Sequence, residues 1–335
     1  MSKISIALCT YNGEKFLPAQ LESYLAQTRV PDELVVSDDC STDKTARIIE
    51  EFSRRVAFPV RFHRNEKNLR STKNFERAIS LCTGDLIFLS DQDDVWMPHK
   101  LARIEEEFSE HQKVGMVFSD AEIVDENLQP LGRNLWSFTF SDENRKDTSD
   151  GNFFNVLLSQ NVVTGATMAF RAEYREIFMP IPEGIPNLIH DGWISLLIAN
   201  ETDVAFIDEP LIKYRQHAGQ QLGIDYRAAL ENDFDKRRSR YDVSIEFGKK
   251  EIARLQQMKE IFAAFPQFEK WREKIEFADL IEEKQAKITH YEARRNLPRA
   301  RTARLIPVFK EVLSGRYGRF SKGSLSATKD LLEKW

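Results

Sequence analysis

Short apolar runs at 4–9, 34–37, 60–62, 86–89 and 114–118 alternate with stretches of helical period near 16–27, 42–55, 72–82 and 98–110. Runs this short, bounded by polar turns and flanked by patterned helices, read as buried strands. Strand and helix alternating at this spacing predict βαβ units in an α/β, doubly wound, mostly parallel sheet. The pattern then changes. Residues 118–132 read as shorter strands around a Glu126-Asn127 turn, and the polar stretch 142–151 reads as a mobile loop. A strand containing Val162, Val163, Met168, Ala169 and Phe170 follows, then an apolar helix over 193–199 and a strand over 204–207. No internal repeat is visible.

Beyond residue 226 the composition shifts to Lys, Arg, Glu and Gln, with Phe247, Leu255, Met258, Ile261, Phe262 and Phe265 at helical spacing. Two domains are expected: an α/β domain over 1–225 and a C-terminal region of amphipathic helices over 226–335. Residues 294–322 hold nine Lys or Arg and one acid, Glu311, in a chain of net charge −5. Interleaved with Leu305, Ile306, Val308, Phe309, Val312 and Leu313, these cations suit an anionic membrane surface. They equally suit docking on the acidic domain or on a second subunit. No nucleic-acid-binding motif accompanies the charge, so nucleic acid is not an expected partner. The oligomeric state is not readable.

At 41% hydrophobic and 30% charged residues the chain is expected to be globular, and no window approaches the roughly 18 apolar residues of a membrane span. The opening Met1-Ser2-Lys3-Ile4 enters a strand directly and lacks a signal-peptide layout, which implies a cytoplasmic protein, with peripheral membrane attachment left open. Cys9, Cys40 and Cys82 match no metal-ligand spacing and are expected as free thiols.

The candidate chemistry gathers where strands end. Leu86-Ile87-Phe88-Leu89-Ser90 runs into Asp91, Asp93 and Asp94. Carboxylates this close repel one another by about 1 kcal/mol per pair even when well hydrated. A hard divalent cation, Mg²⁺ or Mn²⁺, would remove that penalty and leave positions for phosphate oxygens. The alternative is a solvated loop ahead of a helix opened by Pro98. The carboxyl ends of parallel strands are where ligands bind in open α/β sheets.

Neighbouring strands end in Thr10-Tyr11-Asn12-Gly13 and in Ser37-Asp38-Asp39-Cys40-Ser41-Thr42-Asp43, which offer hydrogen-bonding and stacking groups for a nucleotide. Ser41 or Thr42 alternatively caps the next helix. Arg70 and Lys73 are candidates for a diphosphate, or else surface charges. Asp191, in His190-Asp191-Gly192-Trp193, reads locally as a cap of the helix that holds Trp193 and Ile194.

The ordered set Ile6-Ala7-Leu8-Cys9-Thr10-Tyr11-Asn12-Gly13, Asp38-Asp39-Cys40-Ser41-Thr42-Asp43, Gly84-Asp85 and Ser90-Asp91-Gln92-Asp93-Asp94-Val95-Trp96 resembles the family 2 glycosyltransferases over roughly residues 3–220. These are nucleotide-sugar enzymes of the GT-A fold. The resemblance implies that Asp91 and Asp93 bind the divalent ion and donor ribose, with Asp93 the direct ligand and Asp94 in support. It implies Asp191 as the general base of inverting transfer, and a segment Tyr214-Arg215-Gln216-His217 closing over the diphosphate. Arg215 then neutralises phosphate, and His217 is a candidate third metal ligand. The subgroup with Ser-Asp-Gln-Asp-Asp-Val-Trp looks most like bacterial rhamnosyl transferases of surface polysaccharide, which implies a dTDP-rhamnose donor, with UDP-hexose as runner-up, and a lipid-linked or oligosaccharide acceptor. Arg70, where many relatives carry Gly, and Gly192, where many carry an aromatic residue, depart from the pattern. A sugar-1-phosphate nucleotidyltransferase would start with a Gly-rich basic loop, which Thr10-Tyr11-Asn12-Gly13-Glu14 is not. A non-catalytic nucleotide- or polysaccharide-binding subunit is the remaining rival.

Overall fold

The computed structural model describes residues 2–218, 220, 236–272 and 275–332. Two compact units are present, Met1–Gly184 with Leu188–Ile224, and Ile185–Asn187 with Asp225–Trp335. The expected boundary at 225/226 lies outside the described residues.

In the first unit, β1 (Ile4–Thr10), β2 (Glu33–Asp38), β3 (Val60–Arg64) and β4 (Leu86–Ser90) pair in parallel in the order β3-β2-β1-β4. Every residue of β1, β2 and β4 is buried, as expected for parallel strands covered on both faces, and this is why they read as apolar runs. The helices between them are α1 (Leu17–Leu25), α2 (Thr45–Ser53) and α3 (Arg70–Leu81). Register aligns Leu8 with Ser90 and Thr10 with Asp38, so the carboxyl ends of β1, β2 and β4 share one sheet edge.

The sheet continues through β5 (Val95–Trp96), β6 (Val114–Val124), β7 (Pro130–Asn134), β8 (Met168–Arg171) and β9 (Asp203–Arg215). Strand β8 runs antiparallel between β4 and β6, β9 is parallel to β6, and β5 and β7 pair antiparallel to β9 and β6. Six of the nine strands therefore share one direction. Strand β6 runs well past the expected end at Phe118 because its polar residues are satisfied. Asp120 Oδ1 accepts from the N–H of Ala121 at 2.7 Å and of Trp136 at 3.0 Å.

The remaining helices of this unit are α4 (Lys100–Glu110), α5 (Trp136–Thr139), α6 (Asp142–Ser149), α7 (Phe153–Ser159), α8 (Arg175–Phe178) and α9 (His190–Glu201). Helix α6 replaces the expected mobile loop. Ser141 caps it by accepting from the Asn144 N–H, and Asp142 and Glu143 sit in its first turn, where the helix dipole favours them. Only Thr148 of this helix is buried, so it has no apolar period to read. Around it Phe118, Trp136, Phe140 and Phe153 pack with ring centroids 5.0–6.4 Å apart. Such pairs contribute about 0.5–1.5 kcal/mol each beyond area burial. Val162 and Val163, expected in a strand, instead precede a 3₁₀ turn at Gly165–Thr167. Neither Ser41 nor Thr42 caps α2, whose N-cap is Lys44.

In the second unit, the helix Lys236–Ala264 pairs with Phe277–Arg295, and Phe262 packs on Phe268 and Trp271. Short helices at Leu305–Leu313, Arg316–Phe320 and Gly323–Leu332 gather around Leu297, Val308, Tyr317 and Ala327. The nine cations of 294–322 are not one solvated face. Arg304 is fully buried and donates to the carbonyls of Pro298, Arg299 and Asp330, and Arg294 is paired with Asp330 at 2.6 Å. Among the described residues no helix is long and apolar enough to cross a membrane. The three cysteines are free thiols.

Candidate active site

A cavity of about 620 Å³ opens over the carboxyl ends of β1, β2 and β4. Of the residues singled out from the sequence, Thr10, Tyr11, Asp39, Arg70, Asp91, Asp93, Asp191 and His217 line it. Asn12, Asp38, Lys73 and Arg215 do not, and each has a structural occupation instead.

Asp38 is fully buried and accepts from the hydroxyls of Thr10 at 2.8 Å and Ser41 at 2.5 Å, and from the Ser41 N–H at 3.0 Å. Asn12 has a positive φ of 47° and ties the first turn to the second, donating its N–H to Ser41 Oγ and accepting from the Thr42 N–H. Lys73 turns to Glu76 at 2.7 Å. Arg215 is 3% exposed and donates to the carbonyls of Asp93 and Glu126, both at 2.6 Å, while its guanidinium lies 4.7 Å from the Phe16 ring. It therefore clamps the Asp93 loop from behind the cavity. In this structure these four side chains are engaged with protein groups.

The lining residues are held from below. Asp39 accepts from the N–H groups of Leu69 at 2.6 Å and Arg70 at 2.9 Å and from Asn65 at 2.9 Å, which fixes the loop into α3. Tyr11 is half exposed, and its backbone exchanges two 2.9 Å bonds with the Gln92 amide. Arg70 has φ of +62°, in the left-handed region that favours glycine, so a Gly at this position would fit the backbone. Gly192 is packed. A Cβ there would meet Leu188 Cδ1 at 2.7 Å and Asn161 at 3.1 Å, so the aromatic alternative does not fit this backbone.

The carboxylate cluster carries strong electrostatic stress. Burial, then the charges of Asp93 and Asp191, push the Asp91 carboxyl up to about 8. Burial likewise raises Asp94 well above the usual carboxylate range, and its Oδ2 has no partner among the described residues. Its Oδ1 accepts from the Arg215 N–H at 3.0 Å. Lys100 is fully buried, and burial lowers its ammonium to about 7 against the opposing pull of Asp94 and Asp91. Its Nζ donates to the Ala166 carbonyl at 2.6 Å and lies 4.0 Å from the Trp96 ring centroid. His217 Nε2 lies 2.8 Å from Asp93 Oδ2.

Asp91 and Asp93 are oxygen donors with excess negative charge, a set that fits a hard divalent cation. Among the described residues no group of three or more His, Cys, Asp or Glu is assembled as a metal site, so ligand oxygens would have to complete any shell.

Asp191 faces the same cavity from the first turn of α9. Its carboxylate accepts from the Gly165 N–H at 3.1 Å, the Gly192 N–H at 2.6 Å and Asn161 Nδ2 at 3.2 Å. Burial still raises it to about 6. The N-cap of this helix is Ile189, with no side-chain cap bond. The bond to Gly165, in a separate turn, gives Asp191 more than a capping role.

His190 received no role from its sequence context. It is 4% exposed and stacks on Phe75 at 4.0 Å, and neither ring nitrogen has a partner among the described residues. It lines the cavity beside Asp191, and burial pushes its imidazole down to about 3, so it is neutral. Its adjacency to Asp191 was the one available signal.

This fold, with an acidic strand end facing a second carboxylate across a ligand-sized cavity, is of the nucleotide-sugar transferase type. The chain belongs to glycosyl transferase family 2, whose sequence signature covers residues 5–178. It is similar to an uncharacterized glycosyltransferase of Nostoc sp., 29% identical over 258 residues, 69% of this chain and 75% of the relative. It is similar also to the Shigella flexneri protein named dTDP-rhamnosyl transferase RfbG, 27% identical over 231 residues, 64% and 73% of the two chains. Among solved structures it shares its GT-A fold with a mannosyltransferase of Pyrobaculum calidifontis determined with GDP-Man and Mn²⁺. That match has a TM-score of 0.51 and 16% identity, over 100% of this chain and 88% of that one. The chain is a glycosyltransferase.

Proposed function

We propose that this enzyme carries out metal-dependent, inverting transfer of a sugar from a nucleotide-sugar donor to a hydroxyl of a lipid-linked or oligosaccharide acceptor, in bacterial surface polysaccharide synthesis. The observation that carries the reading is that Asp91, Asp93 and Asp191 line one cavity, with Asp191 poised near 6. An acceptor hydroxyl is a weak nucleophile. A carboxylate that is ionised at neutral pH and retains some basicity can take its proton as the hydroxyl attacks the anomeric carbon, an effect typically of about 10²–10⁴ in rate. Gly165, Gly192 and Asn161 hold that carboxylate in place.

Asp93 and Asp91 would hold Mg²⁺ or Mn²⁺, with His217 as a candidate further ligand, and the similar mannosyltransferase holds Mn²⁺. A bound divalent cation would stabilise the departing nucleoside diphosphate. Thr10, Tyr11 and Asp39, which line the cavity, would meet the nucleoside, and Arg70 the diphosphate. The two unpaired nitrogens of His190 are suited to a hydroxyl of the bound sugar. The Shigella relative's name supports dTDP-rhamnose as the first donor to test, with UDP-hexose second.

The experiment is release of nucleoside diphosphate across a panel of nucleotide sugars, with and without Mn²⁺ and acceptor. Release that depends on acceptor and metal is expected. Pyrophosphate release in a parallel assay supplied with a nucleoside triphosphate and a sugar 1-phosphate would point to a sugar-1-phosphate nucleotidyltransferase, and nucleotide-sugar binding without turnover to an assembly subunit.

A further inference from the structure

The helix Leu305–Leu313 turns a large apolar face to solvent. Leu305, Ile306, Phe309, Val312 and Leu313 are 46–70% exposed. At 3.6 residues per turn they share an arc of roughly 120°. The buried positions Arg304, Val308 and Glu311 lie on another side, where Val308 packs in the small core with Leu297 and Tyr317. The exposed face is therefore not the one that holds this region together. An apolar patch of this kind marks an interaction surface.

Its surroundings identify the partner. Between 296 and 332 the only two acids, Glu311 and Asp330, are both buried. Glu311 is bound by Arg316 and by His290 at 2.9 Å, and Asp330 by Arg294 at 2.6 Å and the Tyr317 hydroxyl at 2.7 Å. Folding thus removes the negative charges from the surface. Every charged side chain exposed in this stretch is a Lys or Arg, with Arg299, Arg301 and Lys310 nearest in sequence to the apolar arc. A protein interface of this size is depleted in Lys, and a two-fold contact with a second copy would set these cations against themselves. An amphipathic helix lying in an anionic lipid surface uses this combination, apolar side chains in the acyl boundary and cations at the headgroups.

We infer that the exposed face of helix Leu305–Leu313, with Arg301 and Lys310 at its border, docks on an anionic bilayer surface. The lipid-linked acceptor of the proposed function would be met there. The surface itself can be measured without donor, acceptor or metal, so its failure and that of the transferase reading are separable.

The test is co-sedimentation of the full chain with vesicles of phosphatidylglycerol and phosphatidylcholine against phosphatidylcholine alone, at low and raised salt. Wild type is expected to pellet with the anionic vesicles and to be released by salt. The variants Ile306→Asp/Phe309→Asp and Arg301→Glu/Lys310→Glu should each bind at least tenfold more weakly. All these positions are exposed, so unchanged thermal melting is expected in both variants, and calorimetry should show nucleoside diphosphate binding unaltered. Two variants of opposite chemistry keep the test decisive if one fails to fold. Equal pelleting of wild type and variants, no preference for anionic lipid, or a concentration-dependent dimer that Ile306→Asp/Phe309→Asp abolishes would overturn the inference, the last assigning the face to a second copy.

Discussion

His217 Nε2 and Asp93 Oδ2 lie 2.8 Å apart although 124 positions separate them in the chain. Strand β9 brings them together, because it pairs with β5 so that Val95 lies opposite Lys213, and the chain leaving β9 returns across the loop of acids. Arg215 reinforces the junction through the Asp93 carbonyl, and Phe16 packs on both Arg215 and His217. The acidic loop is thus held at its carboxyl side by the end of β9.

Asp93→Ala should abolish metal-dependent binding of nucleoside diphosphate while leaving the fold intact, since the side chain lies in the loop between β4 and β5 and contributes no core contact. Calorimetry of dTDP and UDP with and without Mn²⁺ checks this. Metal-dependent affinity equal to wild type would remove Asp93 from the metal site.

Arg70→Gly separates backbone from side chain. A residue with a Cβ in the left-handed region costs roughly 1–2 kcal/mol, so the glycine variant should melt no lower than wild type. It loses the guanidinium in the cavity, and affinity for nucleoside diphosphate should fall at least about fivefold, a loss on the scale of one charged hydrogen bond. Unchanged affinity would mean that Arg70 faces the cavity without touching the ligand.

His190→Phe should make the protein more stable and less active. A buried polar group without a partner costs about 1–3 kcal/mol, and an aromatic ring of similar shape retains the stacking on Phe75. Thermal melting in the absence of ligand should rise, while the KM for the nucleotide sugar increases. His190→Asn, which restores a donor and an acceptor, should recover part of the affinity. A destabilised His190→Phe with normal KM would make the histidine a packing residue only.

Much of the architecture was legible because buried parallel strands are apolar on both faces and therefore appear as uninterrupted runs. The strand-end acids were legible for the complementary reason, that three carboxylates after such a run need a compensating partner. Helix α6 was not, because its stability comes from the Ser141 cap and first-turn acids and not from an apolar stripe. For Arg215 and Lys73, charge shows in sequence and direction does not. One points into carbonyls behind the cavity and the other at Glu76. His190 is silent in the sequence for the opposite reason, since a lone imidazole becomes informative only when the fold leaves both nitrogens unpaired. Which of the nine basic residues near the C-terminus reach solvent was equally invisible, because it depends on the pairing of Arg294 with Asp330 and on the burial of Arg304.

Asp191→Asn tests the base directly. Asn keeps the size and can accept one of the two backbone bonds from Gly165 and Gly192, so nucleoside diphosphate affinity should be unchanged while transfer falls at least about 10²-fold. The base works ionised, so wild-type kcat/KM should rise with pH through about 6, the value to which burial lifts this carboxyl. Stability has the opposite slope. A carboxyl raised from 3.8 to about 6 in the folded state resists ionisation there, so its contribution is most favourable below about 4 and is lost as pH climbs through 6. A shift of this size corresponds to roughly 3 kcal/mol. Asn cannot ionise. The variant should therefore gain on wild type in chemical denaturation at pH 8 compared with pH 4, and its residual activity should lack the limb near 6. Near-normal turnover at unchanged stability would leave Asp191 as a brace between Gly165 and α9, and the proton would have to go elsewhere.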